Sequence, residues 1–372
     1  MRRVLAVGLV ALAFAGAAEA RVPIPRARSF FVVNASNGEV LAAGHAHARV
    51  PIASITKLMT VIVALERLKP SDVVTVSAQA AAVGESRIPL FAGQRITVRE
   101  LLEGALIQSA NDAADALAAA AAGGDIPRFV SWMNAHARKL GLRDTHFVRP
   151  DGLDAAGHVS SARDVAVLAQ VAMHSPVVRA IVRQREATIE GGRVTVHTWN
   201  DLLGRFPGVI GVKTGHTGAA GWCEVAAVRR PGYTIYAVLL GSPTRGRRDD
   251  DLEGLLAWGV SQYRTLKLVR PATYAHAALG YGRQPVALVA TAPLVRVVRV
   301  GPPVVEKIVA PSAVSLPVER GQLLGRIELW QGHERLGVRR LVAARSVRRP
   351  GVGGRLHWYA GRTVHHLFGL FS

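Results

Sequence analysis

A chain of 372 residues with 49 % hydrophobic side chains has room for two or three domains and is too apolar to be intrinsically disordered. Its 46 lysines and arginines outweigh 26 acidic residues to leave a net charge of +20, while its single cysteine, Cys223, excludes an intrachain disulfide and a cysteine-based zinc site. The surplus is uneven: residues 264–372 carry 17 basic and 4 acidic side chains, the remainder 29 and 22.

Met1-Arg2-Arg3 is a short positive start. Residues 4–17 form an apolar run too short to span a bilayer comfortably, and Ala18-Glu19-Ala20 puts small residues where a signal peptidase cuts. Residues 1–20 are expected to be a secretory signal peptide, the alternative being an uncleaved amphipathic or membrane-embedded start. For an exported chain the expected acidic partners are anionic lipid headgroups or the cell wall, not nucleic acid.

Residues 29–33 and 39–43 flank the turn cluster Asn34-Ala35-Ser36-Asn37-Gly38, which predicts a hairpin. From Ser54 onward, Ile55, Leu58, Met59, Ile62 and Leu65 recur at helical spacing, and the run stops before Pro70. Residues 98–122 and 126–140 read as two further helices, and 160–174 as another, capped by Ser160 or Ser161. Strand character returns at 209–212, 223–228 and 234–240. This order predicts an α/β lobe whose sheet is completed by distant segments, with a helical lobe inserted between them.

From 264 to about 345, short β-rich runs punctuated by Gly and Pro predict a small separate all-β domain; 286–291, 294–300 and 325–330 are examples. After Arg348-Arg349-Pro350-Gly351, Val352, Leu356, Tyr359, Ala360, Val364, Leu367, Phe368, Leu370 and Phe371 fall on one helical face, Arg355, Arg362, His365 and His366 on the other, with His357 at the edge of the apolar face and Trp358 on the polar side. A basic amphipathic helix at this place is expected to lie on a membrane surface; docking on the β-domain is the alternative.

Three short elements carry chemistry. Ser54-Ile55-Thr56-Lys57 opens a helix, Ser109-Ala110-Asn111 lies between helical patterns, and Lys213-Thr214-Gly215 follows a strand-like run. Each is a weak signal alone; the three in this order are hard to obtain by accident. Only six of the 46 basic residues are lysines, and two of the six sit in these elements.

A serine hydroxyl needs an adjacent base to attack a carbonyl. Residues i and i+3 share a helix face, so Lys57 is placed to take the proton of Ser54. To do so it must be neutral near pH 7. Burial and a facing cation, with Lys213 the candidate, promote that state, whereas an arginine stays charged. The Ser54 N–H, with His216 N–H as second donor, is expected to hold the oxyanion. Ser109 is the candidate relay to the leaving amine. Asn111 is expected to hold Lys57 and the substrate amide, Lys213 and Thr214 to bind a carboxylate, and Gly215 to admit the substrate backbone. None of this requires a cofactor, and the 13 histidines show no metal-binding spacing.

With these motifs the chain resembles the low-molecular-mass D-alanyl-D-alanine carboxypeptidases, the group of penicillin-binding proteins 5 and 6, from about Arg28 to Ser372. The likeness extends through Ile107-Gln108-Ser109-Ala110-Asn111-Asp112-Ala113, Asp151-Gly152-Leu153-Asp154, Ser160-Ser161-Ala162-Arg163-Asp164, Gly211-Val212-Lys213-Thr214-Gly215-His216-Thr217 and Leu255-Leu256-Ala257-Trp258-Gly259. Residues 317–325 and His365-His366-Leu367-Phe368-Gly369 continue it.

The resemblance implies a serine β-lactamase/transpeptidase-like α/β domain over 21–263, an antiparallel sheet with a helical lobe. A C-terminal β-domain over 264–345 and a membrane-anchoring amphipathic helix over 346–372 would follow, with the protein peripheral on the periplasmic face of the cytoplasmic membrane. It implies removal of the terminal D-alanine from peptidoglycan stem pentapeptides through an acyl-enzyme on Ser54, with β-lactams as inhibitors. It also implies an arginine after Lys-Thr-Gly that binds the terminal carboxylate: Arg248 is favoured, with Arg247 and Arg245 close competitors. Asp151 stands where many relatives have histidine, and its role is unassigned. The same site would also serve a D,D-endopeptidase, or a β-lactam-binding wall scaffold with little turnover. A class A-like β-lactamase is disfavoured, because no Glu-x-x-x-Asn lies between the second and third motifs.

Overall fold

The computed structural model describes residues 5–12 and 21–368. Phe31, Val32 and Val33 are all buried, as are Ile235 through Leu240, because both strands are covered on two faces. They are Ser29–Asn34 (β1) and Tyr233–Ser242 (β5), central in an antiparallel sheet with Glu39–Gly44 (β2), Val209–Thr217 (β3) and Gly221–Arg230 (β4). The order β2-β1-β5-β4-β3 pairs the start of the chain with strands two hundred residues later, as the strand–helix–strand pattern predicted. The predicted hairpin is β1–β2.

Between β2 and β3 runs the helical lobe. Its central helix, Lys57–Leu65 (α1), buries Leu58, Met59, Val61, Val63 and Ala64 completely. Asn111–Ala122 (α2), Ile126–Lys139 (α3) and Ala162–Ala172 (α4) pack around it. Ser161 caps α4 by accepting from the Asp164 N–H, and Asp125 caps α3 in the same way. On the opposite side of the sheet, Arg245–Ser261 (α5) lies against β4 and β5.

The single helix expected over 98–122 is two. Helix Val98–Glu103 passes into a π-turn over Gly104–Gln108, Ser109 turns left-handed at φ 66°, and α2 restarts at Asn111. Tertiary bonds hold the break: Asn111 N–H donates to Ser86 O at 2.7 Å, and the buried Asp112 carboxylate accepts from the N–H groups of Ile88 and Leu90. The interruption lifts Ser109 out of helix geometry and aims it at β3.

Residues 20–261 form one compact unit, and residues 262–372 with 1–19 another. Among the described residues the second is all-β apart from its terminal helix. Its main sheet runs in the order Leu5–Leu12, Val304–Pro311, Leu323–Gln331, Glu334–Ala343, Val286–Ala290, Thr273–Leu279 and Ala313–Val314. Tyr263–Val269 pairs separately with Leu294–Arg299. Val269, Ala277, Val286, Leu288, Leu294, Ile327, Leu329 and Leu341 are fully buried in its core.

The apolar run read as the centre of a signal peptide is here an edge strand, with Leu5 opposite Pro311 and Leu12 opposite Val304. The expected cleavage site at 18–20 lies outside the described residues, as do 369–372. The terminal helix is Val352–Phe368. Trp358 packs edge-on against Tyr281, with ring centres 5.4 Å apart, while Val352 and Leu356 remain exposed.

Candidate active site

Ser54 sits in a 3-10 turn, Ala53–Thr56, that runs directly into α1. Lys57, one turn later, is completely buried. Its Nζ lies 2.7 Å from each of three oxygens: Ser54 Oγ, Asn111 Oδ1 and the main-chain carbonyl of Asp151. A neutral amine has two N–H donors and one lone pair. Asn111 Oδ1 and Asp151 O can only accept, so they take the two donors and the lone pair faces the Ser54 hydroxyl. Burial pulls the Lys57 pKa from 10.5 down to about 8 against the carboxylates of Asp151, Asp115, Asp112 and Glu85, which favour the charged form. The sequence pointed to Lys213 as a contributing cation; desolvation is the principal cause.

Lys213 faces the same cleft from β3. Its Nζ donates to Ser109 Oγ and to Thr214 O, both at 2.8 Å. Burial, with Lys57 next, pushes its pKa well below the ordinary value. The four side chains at 54, 57, 109 and 213 therefore meet in one place. Gly215 brings the two walls together: a Cβ there would lie 2.9 Å from Ser54 N and 3.1 Å from Ile52 O. Gly152 does the same on the other flank, where a Cβ would collide with the Ala53 carbonyl.

Asn111 spends its Nδ2 on Gly84 O at 2.9 Å, which ties the 84–90 loop to the lysine. Thr214 and His216 alternate with Lys213 and Gly215, so they project to the opposite face of β3. Their partners across the ladder are Glu224 and Trp222, and the His216 ring stacks on Trp222 at 4.1 Å.

Arg248, at the start of α5, lies on that same face, 5.7 Å from the Trp222 ring. It is 1 % exposed; its Nε is 2.9 Å from Glu224, and its Nε and Nη2 donate to Asp249. Arg245 makes a bidentate pair with Asp201, both bonds 2.7 Å, and Arg247 is exposed. Of the three candidate arginines, Arg248 alone is built into the wall behind Thr214. Among the described residues no group of three His, Cys, Asp or Glu side chains is arranged to hold a metal.

Residues 17–244 match the family model of D-alanyl-D-alanine carboxypeptidase, Peptidase_S11. The chain belongs to this family. It is 31 % identical to D-alanyl-D-alanine carboxypeptidase DacF of Bacillus subtilis, over 94 % of this chain and 96 % of that one. It is 31 % identical to DacC of Escherichia coli, over 96 % and 93 %. The crystal structure of penicillin binding protein 5 from Haemophilus influenzae matches with a TM-score of 0.64 and 26 % identity, covering 88 % of this chain and 99 % of that one. The protein is thus a serine-type D-Ala-D-Ala carboxypeptidase, a cell-wall hydrolase with a penicillin-binding fold, as the resemblance implied.

Several groups of this carboxypeptidase site were invisible in the sequence. Asp151 takes part through its main-chain carbonyl, while its carboxylate is clamped by Arg149 in two 2.6 Å bonds. The Lys57 contact therefore does not use the Asp151 side chain. Asp115, one turn after Asn111 on α2, has one oxygen without a hydrogen bond, and burial raises its pKa to about 7. Its four-residue spacing from Asn111 was the available signal. Glu224, buried beside Thr214, gave none.

Proposed function

We propose that this carboxypeptidase removes the terminal D-alanine from peptidoglycan stem pentapeptides through an acyl-enzyme on Ser54. Neutral Lys57 takes the hydroxyl proton as Ser54 Oγ attacks the carbonyl between the two D-alanines. The main-chain N–H groups of Ser54 and His216 receive the oxyanion. Ser109, bonded to Lys213, relays the proton taken by Lys57 to the departing D-alanine amine, which leaves Lys57 neutral again. Thr214 and Arg248 take the terminal carboxylate, and Gly215 leaves space for the peptide backbone along β3. Water then attacks the ester; Lys57 takes its proton and returns it to Ser54 Oγ as the acyl–oxygen bond breaks. A β-lactam enters the first half of this cycle, and its carboxylate uses the same subsite.

The observation that carries this reading is the Lys57 amine, buried and 2.7 Å from Ser54 Oγ with two fixed acceptors beside it. The full chain should be labelled covalently by a fluorescent penicillin and should release D-alanine from a peptide ending in D-Ala-D-Ala. Ser54→Ala should abolish both. Labelling without D-alanine release would reject the reaction; labelling that survives Ser54→Ala would reject the nucleophile.

The apolar start of the chain and the basic second unit support an exported protein working at the outer face of the cytoplasmic membrane, peripheral through residues 352–372.

A further inference from the structure

Three carboxylates crowd two guanidiniums behind Lys213-Thr214-Gly215. Asp201 matches Arg245, and Asp249 matches Arg248 with bonds of 2.6 and 2.8 Å. Glu224 is the surplus. It is fully buried on β4, directly across the ladder from Thr214. Its Oε2 lies 2.9 Å from Arg248 Nε, yet neither of its oxygens makes a hydrogen bond. The charged groups that face it are Arg248 and Asp249 on α5, Asp201 in the segment before β3, and Lys213 on β3. A buried carboxylate without hydrogen-bond donors from the protein is costly to ionise. A peptide carboxylate arriving at Thr214 and Arg248 adds another anion to this face.

We infer that Glu224 is a positioning residue that sets the charge of the carboxylate subsite: it carries a proton while Arg248 holds the peptide's terminal carboxylate, and once ionised it competes for the same guanidinium. The inference rests on Arg248 as the carboxylate ligand. Peptide binding is then coupled to proton uptake at Glu224, and no covalent step is involved. Burial supports this by raising the Glu224 pKa from 4.5 to about 8. A carboxyl with that pKa is neutral below pH 8 and ionised above it, so peptide affinity holds below that pH and falls above it.

The test measures binding without turnover. Full-length Ser54→Ala protein is titrated calorimetrically with a D-Ala-D-Ala peptide across the pH range, in buffers of different ionisation enthalpy. Its Kd should rise by about tenfold per pH unit above the Glu224 titration, with proton uptake on binding. The added change Glu224→Gln should flatten that rise and remove the uptake. Glu224→Leu, similar in volume, serves if circular dichroism shows that the glutamine variant is misfolded. A wild-type slope in a folded Glu224 variant overturns the inference. Arg248→Gln separates the two claims. If it leaves peptide binding unchanged, the carboxylate role of Arg248 fails and takes this inference with it. If it weakens binding while Glu224→Gln keeps the slope, the inference alone fails.

Discussion

In its proposed role Lys57 is a base only while it lacks a proton, so acylation should follow its titration. With a pKa near 8, the second-order rate of penicillin labelling should rise about tenfold per pH unit through the acid range and level off above 8. A flat profile would show that the proton leaves by another route. Lys57→Arg keeps the charge and cannot shed it; the labelling rate should fall by about 10²–10⁴-fold while the folded state persists.

His158 makes the converse argument about stability. Its Nδ1 accepts from Val148 N–H, so its Nε2–H donates to Thr56 Oγ1 at 2.8 Å and the ring is neutral. Burial lowers its pKa from 6.5 to about 4. The unfolded chain therefore binds a proton that the folded chain refuses between those values, and stability present above pH 6.5 is lost as the pH falls toward 4. The full loss is of order 3 kcal/mol. Denaturant midpoints measured across that window should fall, and His158→Gln should flatten the dependence. Equal slopes in both proteins would remove His158 as the cause.

At the scale of elements, the site depends on how closely β3 approaches the turn at Ser54. Gly215→Ala places a methyl against Ser54 N and Ile52 O, main-chain atoms that cannot rotate away. The walls must part by a few tenths of an ångström. Labelling should slow by at least about tenfold, because acylation is sensitive to small misplacements, while stability falls by about 1–3 kcal/mol. An unaltered labelling rate would show that the cleft tolerates the gap.

Element by element, legibility followed local pattern. The α1 stripe, the β1–β2 hairpin and the Ser161 cap were readable because spacing and turn chemistry fix them locally. The break at Ser109 was not. Residues 111–122 are alanine-rich and favour helix throughout, and only the distant Ser86, Ile88 and Leu90 backbone groups impose the interruption. Helix α5 was likewise obscured. Its first turns, Arg245 to Asp251, offer no apolar period, and its buried Leu252, Leu255, Leu256 and Trp258 acquire meaning only against the sheet. Ser54, Lys57, Ser109 and Lys213, which the structure brings into one cleft, were legible as candidates because the chemistry proposed for them requires those side-chain types. The Asp151 carbonyl and the paired state of Arg248 were not, because main-chain acceptors and burial leave no mark on residue type.

For the whole molecule, the distribution of charge and apolar surface bears on the proposed membrane attachment of this carboxypeptidase. No helix among the described residues is long and apolar enough to cross a membrane. The terminal helix has 17 residues, about 25 Å, and exposes Val352, Leu356 and Tyr359 at 66 %, 65 % and 56 %. In the proposed attachment such a helix would lie in the interface, and the basic surplus after residue 264 would add attraction to anionic headgroups of up to about 1 kcal/mol per nearby charge. The two contributions separate experimentally. The protein should sediment with vesicles containing anionic lipid, more weakly with neutral vesicles, and less as salt shortens the screening length from about 10 Å at 0.1 M to about 3 Å at 1 M. Deleting residues 352–372 should move it to the supernatant under all these conditions while penicillin labelling continues. Sedimentation that persists after the deletion would shift the attachment to the β-rich unit; sedimentation indifferent to both salt and lipid charge would leave apolar insertion as its whole basis.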